Sequence, residues 1–436
     1  MQRFVVLAIS LVSAAAPRLM AQSAPAGGAR GAGGATPQAV PGDTLRLADA
    51  IAAARAANPA LQAARLEADA AAARVSQAGA LPDPQVQLSL DNRPLNGFGA
   101  TDPMTMNAVQ VTQTIPWPGK LGFGRAQAGD LAAAGRLDAD EARNGLVARV
   151  TGDYYQLGYM DRALEVMGQT RDLLKSFLQV STTMYGVGAG LEQDVLQAQV
   201  AVAKMTEDIT VVRQDRLAMA ARLNALLGRD ATTPVGPVEL PAAGDTLPTA
   251  DSLMALAVLH RPALAAARQR VAAARAGYRL ARRDLFPDLM VGVSYGQRPR
   301  YMDMVSLMVG FSVPVFAGAR QLAQRREAQA MEAAETARQR ELYNETYARL
   351  AELRAEADRA RDLSGLYATS ILPQARASVQ AALASYRVGQ VNFMSLVDNQ
   401  MTVNRYAIET LRLDAEYQGA VAEIAALTGG EGGRAP

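Results

Sequence analysis

The side chains that could carry out a reaction are few. Asp138, Asp140 and Glu141 place three carboxylates within one helical turn, a spacing that serves acid–base chemistry when two of them face a bound substrate. They lie, however, in an Ala/Arg-rich stretch, where acidic residues at helical spacing pair with solvated arginines. Met302, Met304 and Met308 offer thioethers of the kind that hold soft metals. Their spacing suits a strand and its loop better. There is one histidine, His260, and no cysteine, so thiolate sites, multi-His metal sites and Cys nucleophiles have no ligands to build from. A formal charge of +2 over 436 residues gives no clustered basic surface for nucleic acid. No cofactor, metal centre, nucleic-acid partner or enzymatic activity is expected, and a mechanical role is.

What these residues sit on is written twice. Tyr185-Gly186-Val187-Gly188, running on to Gln199, returns as Tyr386-Arg387-Val388-Gly389, running on to Gln400. Upstream, Asn58-Pro59-Ala60-Leu61 returns as Arg261-Pro262-Ala263-Leu264, and Leu81-Pro82-Asp83 as Phe286-Pro287-Asp288. A period of about 200 residues in constant order marks two structural repeats. They span 43–228 and 251–429, joined by a Pro/Gly/Thr-rich connector over 229–250.

Each repeat reads as helix, two strands, very long helix, tight turn, helix. The opening helices are expected over 47–80 and 251–284. The long ones, 120–184 and 320–385, would each reach about 100 Å at 1.5 Å per residue. Pro373 should interrupt the second, and glycines at 135, 145, 152, 158 and 168 should weaken the first. In the returning helix, Leu191, Ala198, Met205, Val212, Met219 and Leu226 recur at sevens, and Val195, Val202, Ile209, Arg216 and Leu223 form a second row. That 3.5-residue period specifies a supercoiled helix–helix contact, with Arg216 its one charged member.

Four short segments alternate with period two instead: about 85–91, 104–115, 289–296 and 304–313. Val86, Leu88 and Leu90 share one face, as do Val305, Leu307, Val309, Phe311 and Val313. The second segment loses phase near Ala108 and Val109, where a bulge is expected. Pro82, Pro116, Pro287 and Pro314 stand at the ends that meet the helices, which fits joints between strand and helix. Trp117, the one tryptophan, falls at such a joint and suits either headgroup level or simple packing. The segments are about long enough for tilted membrane strands. Four strands cannot close a barrel, and open edges are not tolerated in lipid, so either the sheet packs on a soluble core or several chains pool strands. Three chains would supply twelve.

Arg3, an apolar run from Phe4 to Ala16 and Leu19-Met20-Ala21 read as a secretory signal over 1–21. A Gly/Ala/Pro-rich leader over 22–42 follows, and 430–436 reads as a flexible tail.

Taken with these landmarks, the chain resembles the TolC family of outer-membrane efflux proteins over nearly all of its mature length. The resemblance rests on Asn58 to Leu61, on Ile371-Leu372-Pro373-Gln374-Ala375 followed by Tyr386 and Gly389, and on Tyr185, Gly188, Asp194 and Val195 at the first tip. It implies a mainly α fold with a small β part: coiled-coil hairpins in two repeats, and a trimeric twelve-stranded barrel in the outer membrane above a periplasmic α-barrel. It implies a passive channel working with a periplasmic adaptor and an inner-membrane pump of the RND or ABC type, exporting small toxic compounds such as drugs or metal ions. Adaptor docking carries over to Val187, Gly188 and Ala189, and to Val388, Gly389 and Gln390. The entrance gate carries over in part: Asp194 and Tyr386 match, Val391 stands where an Arg is usual, and of two ring acids one is Ser395 and the other Asp398. The lipidated cysteine of some members is missing, so anchoring falls to barrel and lipid. Ile115 to Lys120 resembles the heavy-metal branch. The competing reading is a soluble periplasmic coiled-coil adaptor or structural protein.

Overall fold

The computed structural model describes residues 44–93, 99, 102–244 and 246–430, all within one unit, Pro41–Pro436. The expected signal, the leader and nearly all of the tail lie outside the described residues, as does part of the loop over 92–103. The chain runs α1 (Leu47–Ala57), α2 (Pro59–Gly79), β1 (Gln85–Asp91), β2 (Met106–Ile115), α3 (Lys120–Gly186) and α4 (Glu192–Leu226). The second repeat follows as α5 (Ala250–His260), α6 (Pro262–Arg283), β3 (Asp288–Gln297), β4 (Met304–Ser312), α7 (Gln321–Leu366), a π turn (Tyr367–Ile371), α8 (Leu372–Arg387) and α9 (Phe393–Leu427).

Each opening helix is two helices rather than the single one expected. Proline lacks an amide hydrogen and drives the residue before it out of the helical region. Asn58 accordingly sits at φ −68°, ψ 120° and Arg261 at φ −70°, ψ 118°. Asn58 turns the break to use. Its side chain accepts from Leu61 N–H at 3.0 Å, capping α2, and donates to Leu226 O at 2.9 Å, tying α2 to the end of α4. Pro373 acts less drastically: the π turn absorbs the misfit just upstream, and the chain continues into α8. The glycines of α3 do not interrupt it, and the helix runs for 67 residues. Gly158 has a packing reason, since a Cβ there would come within 3.2 Å of Leu240 in the connector.

The heptad rows of α4 face the core, except for Leu191, which stands ahead of the helix and is exposed. Ala198, Met205, Ile209 and Leu223 are buried, the first three in a cluster with Leu174 and Phe177 of α3 and Phe393 and Leu396 of α9. A second cluster sets α1 and Leu61 against Leu146, Val150, Tyr154 and Leu157 of α3 and Leu223 of α4. Its counterpart sets α5 against Leu350, Leu353 and Ala357 of α7 and Leu413 of α9. Each fully buried leucine contributes roughly 1.5–3 kcal/mol. Below these clusters the packing order is α4, α3, α9, then α7 and α8; nearer the strands it is α2, α3, α6, α7.

The strands form one antiparallel sheet in the order β1-β2-β3-β4. The ladder of β2 runs unbroken through Ala108 and Val109 against both neighbours, so the expected bulge is absent. The lost alternation has another cause. Asn107 and Gln113 stand on the otherwise apolar face near the strand ends, where their amides find Arg93 and Pro82 O as partners.

Candidate functional site

Both hairpin tips are built by one device. Gly188 takes φ 74°, which lets its N–H reach Tyr185 O at 3.0 Å while Ala189 N–H reaches Met184 O at 2.8 Å. Gly389 takes φ 71°, donating to Tyr386 O at 3.0 Å while Gln390 N–H reaches Ser385 O at 2.9 Å. Such a helix ending needs left-handed backbone, which glycine alone adopts without penalty. Val187 and Val388 project from these turns into solvent. The six residues singled out at the tips therefore occupy equivalent exposed turns.

One side-chain bond links the two hairpins there. The Tyr386 hydroxyl donates to Asp194 Oδ2 at 3.1 Å. The Tyr386 ring is buried, edge-on to Phe393 with centroids 5.4 Å apart. Burial, then the neighbouring Asp194 charge and the bond to it, push the hydroxyl up to about 12. Asp194 lies in the first turn of α4, where the helix dipole favours a carboxylate. Ser395 and Asp398 do not join this bond. The Ser395 amide and hydroxyl both turn to the Asn392 side chain, the N-cap of α9, at 2.9 and 2.8 Å. Asp398 is exposed about one turn further on, and Val391 packs against the lower core.

The other end of the molecule is the sheet. The register puts Val86 and Leu88 beside Val111 and Val109, these beside Val293 and Tyr295, and these beside Leu307 and Val305, while Leu90 lies beside Asn107. That face is open: Leu88 is 76% and Leu307 72% exposed. The opposite face carries Gln85, Gln87, Gln110, Thr112, Ser294, Ser306 and small glycines, with Met290 and Met308 among them. Met302, in the loop before β4, is exposed. Among the described residues no strand covers the outer edge of β1 or of β4. Soluble chains rarely leave an apolar surface of this kind bare. No described helix is long and apolar enough to cross a membrane.

Pro82 and Pro287 precede β1 and β3, and Pro116 and Pro314 follow β2 and β4. One joint is stapled: Trp117 stacks on Phe286 with centroids 5.3 Å apart, and its backbone N–H donates to Asp288 Oδ1 at 2.8 Å. Lys120 closes on the same carboxylate at 2.8 Å.

The sequence pattern of outer membrane efflux proteins matches residues 50–229 and 253–430, one repeat each. The chain belongs to the outer membrane efflux protein family. It is an outer-membrane channel of the tripartite efflux kind, with a periplasmic helical extension, and the soluble-adaptor reading falls away. Efflux proteins of this family are channels rather than enzymes; they are trimers that work with an adaptor and an inner-membrane pump. One relative is the pyoverdine export outer membrane protein OpmQ of Pseudomonas putida, 26% identical over 402 residues, covering 83% of this chain and 82% of OpmQ. The fold matches the outer-membrane channel OprN with a TM-score of 0.77 at 19% identity, covering 88% and 90% of the two chains. It matches VceC of Vibrio cholerae with a TM-score of 0.77 at 16% identity, covering 89% and 97%.

Several polar residues that hold this efflux protein together were not singled out by sequence. Asp161 binds Arg216 and accepts from Val238 N–H at 3.1 Å, while Arg216 donates to Val235 O and Gly236 O at 3.2 and 3.3 Å. Asp414 does the same service in the second repeat, accepting from Ala243 N–H at 3.1 Å and Ser364 Oγ at 2.6 Å. Together they clamp the connector to the helices. The lone charge in the second α4 heptad row was the available signal. Asp138 and Glu141, candidates for chemistry by type, instead pair with Arg270 of α6 and with Arg261, which caps that helix, and Asp140 pairs with Arg143.

Proposed function

We propose that three copies of this chain pool their sheets into a twelve-stranded ring whose apolar face meets outer-membrane lipid and whose polar face lines the conduit. The single observation that carries this is a four-stranded sheet with one bare apolar face and, among the described residues, both edges unpaired, an arrangement lipid does not tolerate in isolation. Residues 1–21 direct export, 22–42 form a leader, and the connector 229–250 girdles the helical wall. Val187, Gly188, Ala189, Val388, Gly389 and Gln390 dock the adaptor. The Tyr386–Asp194 bond latches the entrance, and Asp398 from three copies forms an acidic ring that favours cations. The cargo is a small compound passed on by the pump, a drug, a metal ion or, as the name of OpmQ suggests for that relative, a siderophore. Planar bilayers test this reading. The purified protein should give discrete cation-selective currents, and Asp398→Ala should lower the selectivity. Unchanged selectivity removes the ring, and a soluble monomer without current overturns the whole assignment.

A further inference from the structure

Two opposite charges beside one strand–helix joint have no partner. Asp130 of α3 and Arg279 of α6 make no hydrogen bond or ion pair among the described residues, yet both line one cleft of about 480 Å³. Gly119, Gly122 and Phe123 wall it on the α3 side, and Arg275, engaged by Glu332 at 3.1 Å, stands with Arg279 on the other. On its other flank α3 fills its groove: a Cβ on Gly79 of α2 would come within 2.9 Å of Arg125 Cδ. A Cβ on Gly122 would meet nothing within 4 Å. The α3–α6 groove is thus open space holding a charge of each sign.

A surface ion pair is worth little, so the lack of one is no signal by itself; position is. Lys120 reaches Asp284 at 3.6 Å and Asp288 at 2.8 Å, and Asp288 stands opposite Ser312 on the polar face of the sheet. Asp284 therefore marks the conduit side of α6. With 3.6 residues per turn, Arg279 and Arg275 stand about 140° and 180° around the helix from it. The cleft opens on the outer side, beneath the end of the apolar face where Ile115 pairs with Leu289. The charges are also ordered. Arg279 lies four residues, about 6 Å, from the end of α6 that meets the sheet, and Asp130 ten residues, about 15 Å, from the start of α3. The cation is nearer the sheet and the anion farther from it.

We propose that this cleft holds the headgroup of an amino-phospholipid from the periplasmic leaflet, its phosphodiester on Arg279 and its ammonium on Asp130. In such a lipid the phosphate adjoins the glycerol and the amine projects farther from the bilayer, the same order as the two side chains. The planar guanidinium fork of Arg279 suits two phosphate oxygens. Asp130 accepts from a primary ammonium, and the Phe123 ring walls the short carbon link between the two charges. A headgroup with phosphate and no amine would leave Asp130 without a partner, and a quaternary amine has no N–H to give it. This inference rests on the sheet lying in lipid, as proposed above, and adds a lipid site on the helical wall beneath it.

Native mass spectrometry of the purified, delipidated protein in detergent tests this, with phosphatidylethanolamine, phosphatidylglycerol and phosphatidylcholine titrated in turn. Wild type should bind phosphatidylethanolamine roughly tenfold more tightly than either other lipid, the difference one charge-assisted hydrogen bond makes. Asp130→Asn should bring it down to the level of phosphatidylglycerol, while Arg279→Ala should weaken all three. Gly122→Leu places a side chain in the open cleft of an exposed helix face, so it should also weaken all three while leaving currents in planar bilayers as in wild type. Equal binding of the three lipids by wild type, or binding indifferent to Arg279→Ala and Gly122→Leu, overturns the headgroup site and leaves the sheet in lipid. A protein that stays soluble without detergent and gives no current overturns both.

Discussion

Among the described residues the Tyr386 hydroxyl makes the one side-chain bond between hairpins at the tips, and it can be removed without disturbing the ring that packs on Phe393. Tyr386→Phe deletes a single hydrogen bond, which contributes about 1 kcal/mol net. That is enough to shift a closed–open equilibrium several-fold. The expected outcome is more frequent or larger openings in planar bilayers with trimer melting unchanged; closure identical to wild type would show that this bond is no latch. The proton balance adds a pH condition. The hydroxyl titrates at 10.0 ordinarily and at about 12 in the fold, so its contribution is complete below pH 10 and is lost as pH rises from 10 towards 12. Between pH 6 and 9 the latch should therefore not vary through Tyr386. The sequence offered this pair only through the family resemblance, which carries the gate positions over to Asp194 and Tyr386. Asp161 and Asp414 were not legible in it, because their backbone partners lie 77 and 171 positions away and follow no period.

At the scale of elements, four glycines with the same left-handed backbone have different tasks. Gly228 and Gly429 end α4 and α9 at φ 66° and 76°. A Cβ on Gly228 would come within 2.6 Å of Ala57 O, and one on Gly429 within 2.5 Å of His260 O, the last residues of α1 and α5. Gly188 and Gly389 would meet nothing within 4 Å. Gly228→Ala should therefore cost roughly 3 kcal/mol, combining backbone strain with a collision against a fixed carbonyl. Gly188→Ala should cost only about 1 kcal/mol, the left-handed penalty alone. Thermal unfolding in detergent separates them, and equal losses would refute the close-approach argument. Glycine type gave the sequence reading the turns, but not this difference, which depends on what lies opposite. The split of each opening helix was in plain view at Asn58-Pro59 and Arg261-Pro262; helix propensity of the flanking alanines outweighed it wrongly. In β2 the reverse occurred, and two satisfied amides, Asn107 and Gln113, imitated a bulge.

For the whole molecule, the orientation of the sheet decides which surface lipid touches and which lines the conduit. Adjacent residues of β4 test it, because a strand sends successive side chains to opposite faces. Leu307 stands on the apolar face beside Val293, while Ser306 pairs with Ser294 on the polar face. An arginine at a lipid-facing midplane position costs about 2–4 kcal/mol, and a copy in each of three subunits multiplies the penalty. Leu307→Arg should abolish assembly into outer membranes. Ser306→Arg should leave assembly intact, because water hydrates the guanidinium, and should lower both conductance and cation preference by adding positive charge to the lumen. If the two substitutions exchanged effects, the faces would be reversed. If neither altered assembly, the sheet would not lie in lipid, and the bare face of Val86, Leu88 and Leu90 would need another cover.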